Sequence, residues 1–365
     1  MNEPRPLHRI TEGVGSPLDA KVAFLSCRET YRPVPAEVVR RETHMSWVFL
    51  AGERVYKLKK PVRFPYLDFS TLGRRERACR AELRLNRRLA PDVYLDVVPL
   101  TETRGGLALY GEGGAVDWLV CMRRLDERRM LDSLIEEGLL HTHQVERLVK
   151  VLARFYRGAS PTFLPPAVHL ADLRRELGYN RRVLLDRRFA LPAGLIHRID
   201  RVQRRFLDRC GHLIAARLRH RRIVDGHGDL RPEHIFIDDT VRIIDCLEFN
   251  ARLRIVDPFD EIAYLSLECE RLGAPWVGAY LRRRMQSLLR DGPTEALFAF
   301  YHCYRATLRA RLAIAHLYEA HPRTPEKWPR LAGEYLALAE RSARELETWL
   351  RTRAGRSGCD SRAGA

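Results

Sequence analysis

Lysine is the residue this chain has least of among its charges. Six lysines stand among 64 basic residues in 365 positions, so arginine serves wherever a generic positive charge is enough. No apolar run approaches the roughly 20 residues that cross a bilayer, and no membrane partner is expected. The opening Met1-Asn2-Glu3-Pro4-Arg5-Pro6 lacks the apolar stretch of a signal peptide. The eight cysteines are scattered, without a C-x-x-C pair or a ligand-like spacing. That excludes a zinc ribbon or a disulfide scaffold and fits reduced thiols in a cytoplasmic protein. A G-x-x-x-x-G-K-[ST] phosphate loop is absent as well.

Charge of one sign is in excess: the formal net charge is +17. The arginines are spread along helix-period stretches such as 174–188 and 201–222, without interleaved aromatics or a nucleic-acid-binding signature. Solvated helix faces explain them, and no specific nucleic-acid partner is expected.

What is present concentrates between Ile223 and Asn250. His227-Gly228-Asp229-x-x-Pro232 follows a short apolar stub. Then come Ile235-Phe236-Ile237, an Asp238-Asp239-Thr240 turn, and Val241 to Ile244 ending on Asp245. Two apolar runs around an Asp/Thr turn predict a β-hairpin, which returns the chain and allows Asp229 and Asp245 to meet. Two such acids suit phosphoryl transfer, one orienting a hydroxyl and the other holding Mg²⁺ on a nucleotide.

These residues resemble the catalytic core of the aminoglycoside phosphotransferase-like kinases, relatives of choline kinases and of protein kinases. The resemblance extends over roughly residues 20–320 to a bacterial subgroup. It is carried by Val55-Tyr56-Lys57-Leu58-Lys59-Lys60-Pro61-Val62, Leu67-Asp68-Phe69-Ser70-Thr71-Leu72, Glu82-Leu83-Arg84-Leu85-Asn86 and Asp245-Cys246-Leu247-Glu248-Phe249-Asn250. Some members of that subgroup carry a further P-loop kinase domain, and this chain is expected to be the kinase-like part alone. The resemblance implies an α+β, bilobal, protein-kinase-like fold. A small antiparallel-sheet lobe of five strands and one helix (20–122) would hold the nucleotide. A mostly helical lobe (123–353) would carry the catalytic loop, with a disordered tail at 354–365.

Three of the six lysines are Lys57, Lys59 and Lys60, and a compact ammonium suits phosphate oxygens. Side chains alternate along a strand, so Val55, Lys57 and Lys59 share a face. With Val55 under the adenine, as the resemblance implies, Lys57 becomes the nucleotide lysine, while Lys59 and Lys60 also fit a basic edge strand. A helix over 71–90, capped by Ser70 or Thr71, places Glu82 inward as the partner of Lys57 and leaves Glu76 in a surface ion pair. Thr43 to Trp47 stands where a glycine-rich loop is usual, with the Ser46 hydroxyl and nearby backbone N–H groups offered to phosphate. The resemblance puts the hinge and the adenine contacts at Cys121 and Met122, and makes Asp260 an acid bracing the catalytic loop from below; a plain helix N-terminal acid is the alternative.

The reading is therefore an ATP-dependent, Mg²⁺-requiring phosphotransferase acting on a hydroxyl of a small molecule. Asp229 accepts the substrate proton, His227 braces its loop, and Asp245 binds metal. The alternative is a nucleotide-binding pseudokinase or regulatory module without turnover. His234 stands where the family pattern has an asparagine metal ligand. Imidazole suits transition metals better than Mg²⁺. So His234 either binds metal poorly, yields to Glu233 or Glu248, favours Mn²⁺, or only hydrogen-bonds the loop. Glu248, Glu261, Glu268 and Glu270 are the acids available to a polycationic aminoglycoside, but the basic chain fits a neutral or anionic sugar, nucleoside or polyol better. Tyr301, Tyr304, Arg305 and Arg309 either line the acceptor site or form a solvated helix face. The acceptor and the oligomeric state stay open.

Overall fold

The computed structural model describes residues 16–64, 66–319, 322 and 324–359, with side chains described to residue 352. The chain opens with α1 (Leu18–Ser26), β1 (Val38–Glu42), β2 (Ser46–Ala51), β3 (Arg54–Lys59), β4 (Arg63–Phe64) and β5 (Leu67–Asp68). It continues through α2 (Leu72–Asn86), β6 (Tyr94–Thr103), β7 (Gly106–Leu109) and β8 (Gly114–Arg123). Next are α3 (Leu131–Glu136), α4 (Thr142–Gly158), α5 (Pro166–Leu184), α6 (Ala193–Arg219) and β9 (Val224–Asp225). After β10 (Ile235–Ile237), β11 (Val241–Ile243) and β12 (Ile255–Val256), the chain ends in α7 (Pro258–Arg271), α8 (Pro275–Leu289), α9 (Glu295–Ala315) and α10 (Lys327–Cys359). It divides into two compact units: the residues up to Met130 with His234–Arg254, and Leu131–Glu233 with the residues from Ile255 onward. The β10–β11 hairpin, read from sequence as part of the second lobe, is grouped by its packing with the first.

The first unit is built on a six-stranded antiparallel sheet of order β1-β2-β3-β8-β6-β7, with one strand more than expected and a helix on each face. Alternation along β3 sorts the side chains. Tyr56 and Leu58 join Phe49, Leu119 and Cys121 over Val22 and Leu25 of α1, while Val55, Lys57 and Lys59 fall on the opposite face. On that second face Cys79 of α2 packs with Val97, Val120 and Tyr94. Gly52 closes the β2–β3 turn at φ 59°, a left-handed geometry that favours glycine. Thr71 caps α2, its Oγ1 accepting the Arg74 N–H at 3.3 Å, whereas Ser70 donates to Asp68. The buried residues of α2 are Arg75, Cys79, Glu82, Leu85 and Asn86, helically spaced but mostly polar. Arg75 meets the buried Asp117 at 2.7 Å, and Lys21 of α1 meets the same carboxylate at 2.9 Å. The β10–β11 hairpin pairs Ile235 with Ile243, and Asp238 closes its turn by accepting the Thr240 N–H.

The second unit is helical apart from the β9–β12 pair. Its core draws on Leu148, Leu152, Phe206, Phe259, Leu281, Phe300 and Tyr335, with Phe206 and Phe300 stacked at 4.8 Å. The expected tail is helical over its first residues, since α10 continues to Cys359; residues 360–365 lie outside the described residues.

Candidate functional site

In the first unit, two lysines converge on one glutamate. Lys57 Nζ lies 2.9 Å from Glu82 Oε1 and 2.8 Å from Asp245 Oδ1. Lys59 Nζ lies 2.6 Å from Glu82 Oε2 and donates as well to Glu248 Oε1. β3 aims both lysines at α2 because they are two residues apart. Since β3 runs between β2 and β8, the expectation of an edge strand guarded by lysine does not hold for Lys59, which is 1% exposed. Lys60 leaves the cluster for Glu42 and the Thr43 carbonyl.

The cluster holds three carboxylates and two ammonium groups. Burial pulls the Lys57 ammonium down, but Asp245 and Glu82 outweigh it and leave it well above its ordinary value. Burial likewise pushes Glu82 up and the two lysines overturn this, leaving it lowered. Glu248 ends up raised, through burial and the nearby Glu82 charge, against the pull of Lys59. Paired with Lys59, the Glu248 side chain is 8% exposed, against 44% for Asp245.

Asp245 has φ 61°, a left-handed conformation that aspartate tolerates better than most residues. Its N–H donates to the Tyr94 hydroxyl at 3.0 Å, and the next N–H, of Cys246, donates to Asn86 Oδ1 at 2.8 Å. Asn86 Nδ2 in turn donates to the Glu82 carbonyl. The Asp245 carboxylate is 44% exposed, with His234 Nε2 3.5 Å from its Oδ2. Tyr94 and Asn86 were not singled out from the sequence. For Asn86 a signal existed, because it follows Glu82 by one helical turn.

Two expected nucleotide contacts sit differently. Cys121 is a core residue, and both Cys121 and Met122 have strand partners on each side, β3 and β6. The Arg123 and Arg124 N–H groups are also bonded, to Val93 and Glu53 carbonyls, so backbone groups free of the sheet begin beyond them. Ser46 is buried and its N–H donates to Thr43 Oγ1 within the β1–β2 turn, which takes that N–H from phosphate. Val55 is half-buried opposite Leu50 and Met122.

The second unit holds the His227–Glu233 loop. Glu261, fully buried, accepts the His227 N–H at 3.0 Å, the Gly228 N–H, and the Tyr156 hydroxyl at 2.8 Å. Burial raises its carboxyl, opposed by those donors. A Cβ on Gly226 would stand 2.5 Å from Glu261 Oε2, so only glycine lets the loop approach this acid. The brace expected of Asp260 therefore belongs to its neighbour: Asp260 forms a two-pronged pair with Arg305 instead, at 2.7 and 2.6 Å. His227 Nδ1 accepts the Asp229 N–H at 3.3 Å, leaving the proton of a neutral ring on Nε2. Asp229 Oδ1 accepts the Tyr264 hydroxyl at 3.1 Å, and Oδ2 lies 2.9 Å from Arg231 Nη2. Arg231 also pairs with Glu233, the other acid considered in place of His234. Tyr301 and Arg305 are buried, Tyr301 donating to Asp257, so this part of α9 is not a solvated face.

No protein-family model matches the chain. The uncharacterised protein Rv2004c of Mycobacterium tuberculosis is 33% identical over 285 residues, covering 77% of this chain and 56% of the relative. An uncharacterised protein of Mycobacterium bovis matches to the same extent. The chain thus spans little more than half the length of these relatives. Among solved structures, choline kinase from Cryptosporidium parvum has a TM-score of 0.53 at 10% identity, covering 90% of this chain and 96% of the kinase. A thermostable mutant of aminoglycoside phosphotransferase APH(4)-Ia, in a ternary complex with AMP-PNP and hygromycin B, has a TM-score of 0.51 at 13% identity. It covers 88% of this chain and 97% of that one. With its antiparallel-sheet unit and its helical unit, the chain has the α+β, protein-kinase-like fold of these small-molecule kinases.

Proposed function

We propose that the chain is an ATP-dependent phosphotransferase that moves the γ-phosphoryl group of the nucleotide to a hydroxyl group of a small molecule. The observation that carries this reading is Lys57, held between the buried Glu82 and the part-exposed, left-handed Asp245. A charged lysine fixed beside a carboxylate is what phosphate binding with a divalent cation requires. Lys57 then contacts nucleotide phosphate. Asp245, with His234 beside it, would hold the cation, which when bound neutralises phosphate charge. Asp229, oriented through its N–H by His227 and through Oδ1 by Tyr264, accepts the hydroxyl proton. The new O–P bond forms as the bond to the bridging oxygen breaks and ADP departs. A panel of hydroxylated metabolites assayed for ATP consumption tests the reading. Asp229→Asn should lower turnover by about 10²–10⁴ while nucleotide binding persists, and Asp245→Asn should weaken metal-nucleotide binding too. Full activity in the Asp229 variant removes it from the chemistry.

Arg231 supports a second reading, a nucleotide-binding module without turnover, because its guanidinium sits on the proposed base. ATP binding without consumption under any metal or acceptor favours that alternative. His234 separates metals: a carboxylate with an imidazole suits Mn²⁺ better than Mg²⁺. Mn²⁺ should support the higher activity and His234→Asn should narrow the difference. Loss of activity under both metals in that variant means His234 does something other than select the ion.

A further inference from the structure

Four acids of the second unit, Glu233, Glu261, Glu268 and Glu270, are already engaged. Glu261 is held by two backbone N–H groups and Tyr156, Glu233 by Arg231, and Glu270 by Arg341 and His302. Glu268, 1% exposed, accepts from Arg309 Nε at 2.7 Å, Arg271 Nε at 3.1 Å, and the Tyr335 hydroxyl at 2.8 Å. Two guanidinium groups therefore share a single buried carboxylate, and the surplus is positive. Arg309 spends Nε and Nη2 on Glu268 and Tyr335, and its Nη1 meets no acceptor among the described residues. The same holds for both terminal nitrogens of Arg271.

Of the pair, Arg309 stands within electrostatic reach of the proposed base Asp229. Tyr264 touches Asp229, and Glu268, which recruits Arg309, follows Tyr264 by one helical turn, a rise of about 6 Å. Burial pulls Arg309 down, but Tyr264, Glu268, Tyr335 and Asp229 hold it well above its ordinary value, so it is charged at any working pH.

From this geometry we infer that the acceptor is an anion: a small molecule bearing a phosphate or carboxylate group in addition to its reacting hydroxyl, with Arg309 receiving that oxyanion beside Asp229. The inference rests on the phosphotransfer reading and narrows it. A polycation would meet two guanidinium groups with the single carboxylate of Glu268 between them.

The test is a charge-matched panel on the full chain with Mn-ATP or Mg-ATP: a neutral sugar, its sugar acid, its sugar phosphate and its amino sugar. The anionic members should exceed the neutral one in kcat/KM by about tenfold or more, as charge-assisted hydrogen bonds imply, and the sugar acid and sugar phosphate arms tell carboxylate from phosphate. Arg309→Gln should bring the anionic-to-neutral ratio towards one, and Arg309→Lys should recover part of it. Because Arg309 bonds buried Glu268, the more exposed Arg271→Gln provides a second variant, in which the ratio should also fall. Preference for the neutral or amino sugar overturns the inference and leaves phosphotransfer standing. If nothing turns over, phosphotransfer fails, and the charge inference is read from binding with AMP-PNP saturating. A sugar-phosphate-induced rise in Tm that is lost in Arg309→Gln supports it, and an equal rise in both proteins overturns it.

Discussion

Lys59 separates what a lysine does for binding from what it does for folding. It is fully enclosed between Glu82 and Glu248, with the Phe69 ring 4.9 Å from its ammonium. Removing one partner of a buried ion pair strands the other charge, a cost of about 3–5 kcal/mol. Lys59→Met should therefore lower stability by that order, read from denaturant unfolding. Lys57→Met, whose side chain is 18% exposed, should mainly reduce the Tm rise produced by Mg-ATP or Mn-ATP. Adding Glu248→Gln to Lys59→Met should recover part of the lost stability, because it removes the stranded carboxylate while Lys57 still holds Glu82. Equal effects of the two lysine variants on nucleotide binding would mean that Lys59 also touches phosphate. The sequence made the pairing of Lys57 with Glu82 readable through strand alternation and family phrases. It did not make Lys59 readable, since nothing in a run of lysines tells which is central and which faces water.

Elements with apolar periodicity were readable, and those with polar interiors or little length were not. Apolar residues recurring at helical spacing over 143–157, 194–220 and 276–290 predict three helices, and α4, α6 and α8 stand there, displaced by one residue at most, because their apolar stripes persist over several turns. The nine-residue α1 has little amphipathic contrast, and β1 is largely charged, so neither announced itself. The Asp260–Glu261 pair is illegible for another reason: adjacent residues of a helix face different directions, and only the packed loop shows which acid meets it. A contact between α4 and α8 has a pH signature. Glu146 accepts from Arg284 and Tyr280, and those hydrogen bonds hold its carboxyl down from 4.5 to about 2. A depressed folded value means stabilisation that is complete above the unfolded value and is lost as pH falls through the folded one. Glu146→Gln should therefore flatten the fall of Tm between pH 4.5 and 2. An unchanged acid limb would show that the pair contributes nothing measurable, the fate of many exposed ion pairs.

At the scale of the molecule, a net charge of +17 does two things that folding does not need. It attracts anions in general, which would speed the approach of the proposed nucleotide and anionic acceptor, and it attracts polyanions without reading them. Much of the arginine is tied down locally: Asp200 holds both Arg181 and Arg204, and Asp186 holds Arg188. Along α6, however, Arg201, Arg205 and Arg209 succeed one another by single turns in a groove of about 500 Å³ that also touches Arg181 and Arg204. Among the described residues its lining acids are Asp200 and Asp208, so a polyanion attracted by charge alone is expected there first. Such binding is displacement of counterions and nothing more, which fixes its salt dependence. Affinity for a single-stranded oligonucleotide should fall by orders of magnitude between about 50 and 200 mM salt, without regard to sequence. Arg201→Glu with Arg205→Glu should weaken it further, while the Tm rise given by Mg-ATP or Mn-ATP survives at the higher salt. Oligonucleotide binding that persists at 200 mM salt, or that prefers one sequence, would make nucleic acid a true partner and the charge more than a solvated surface.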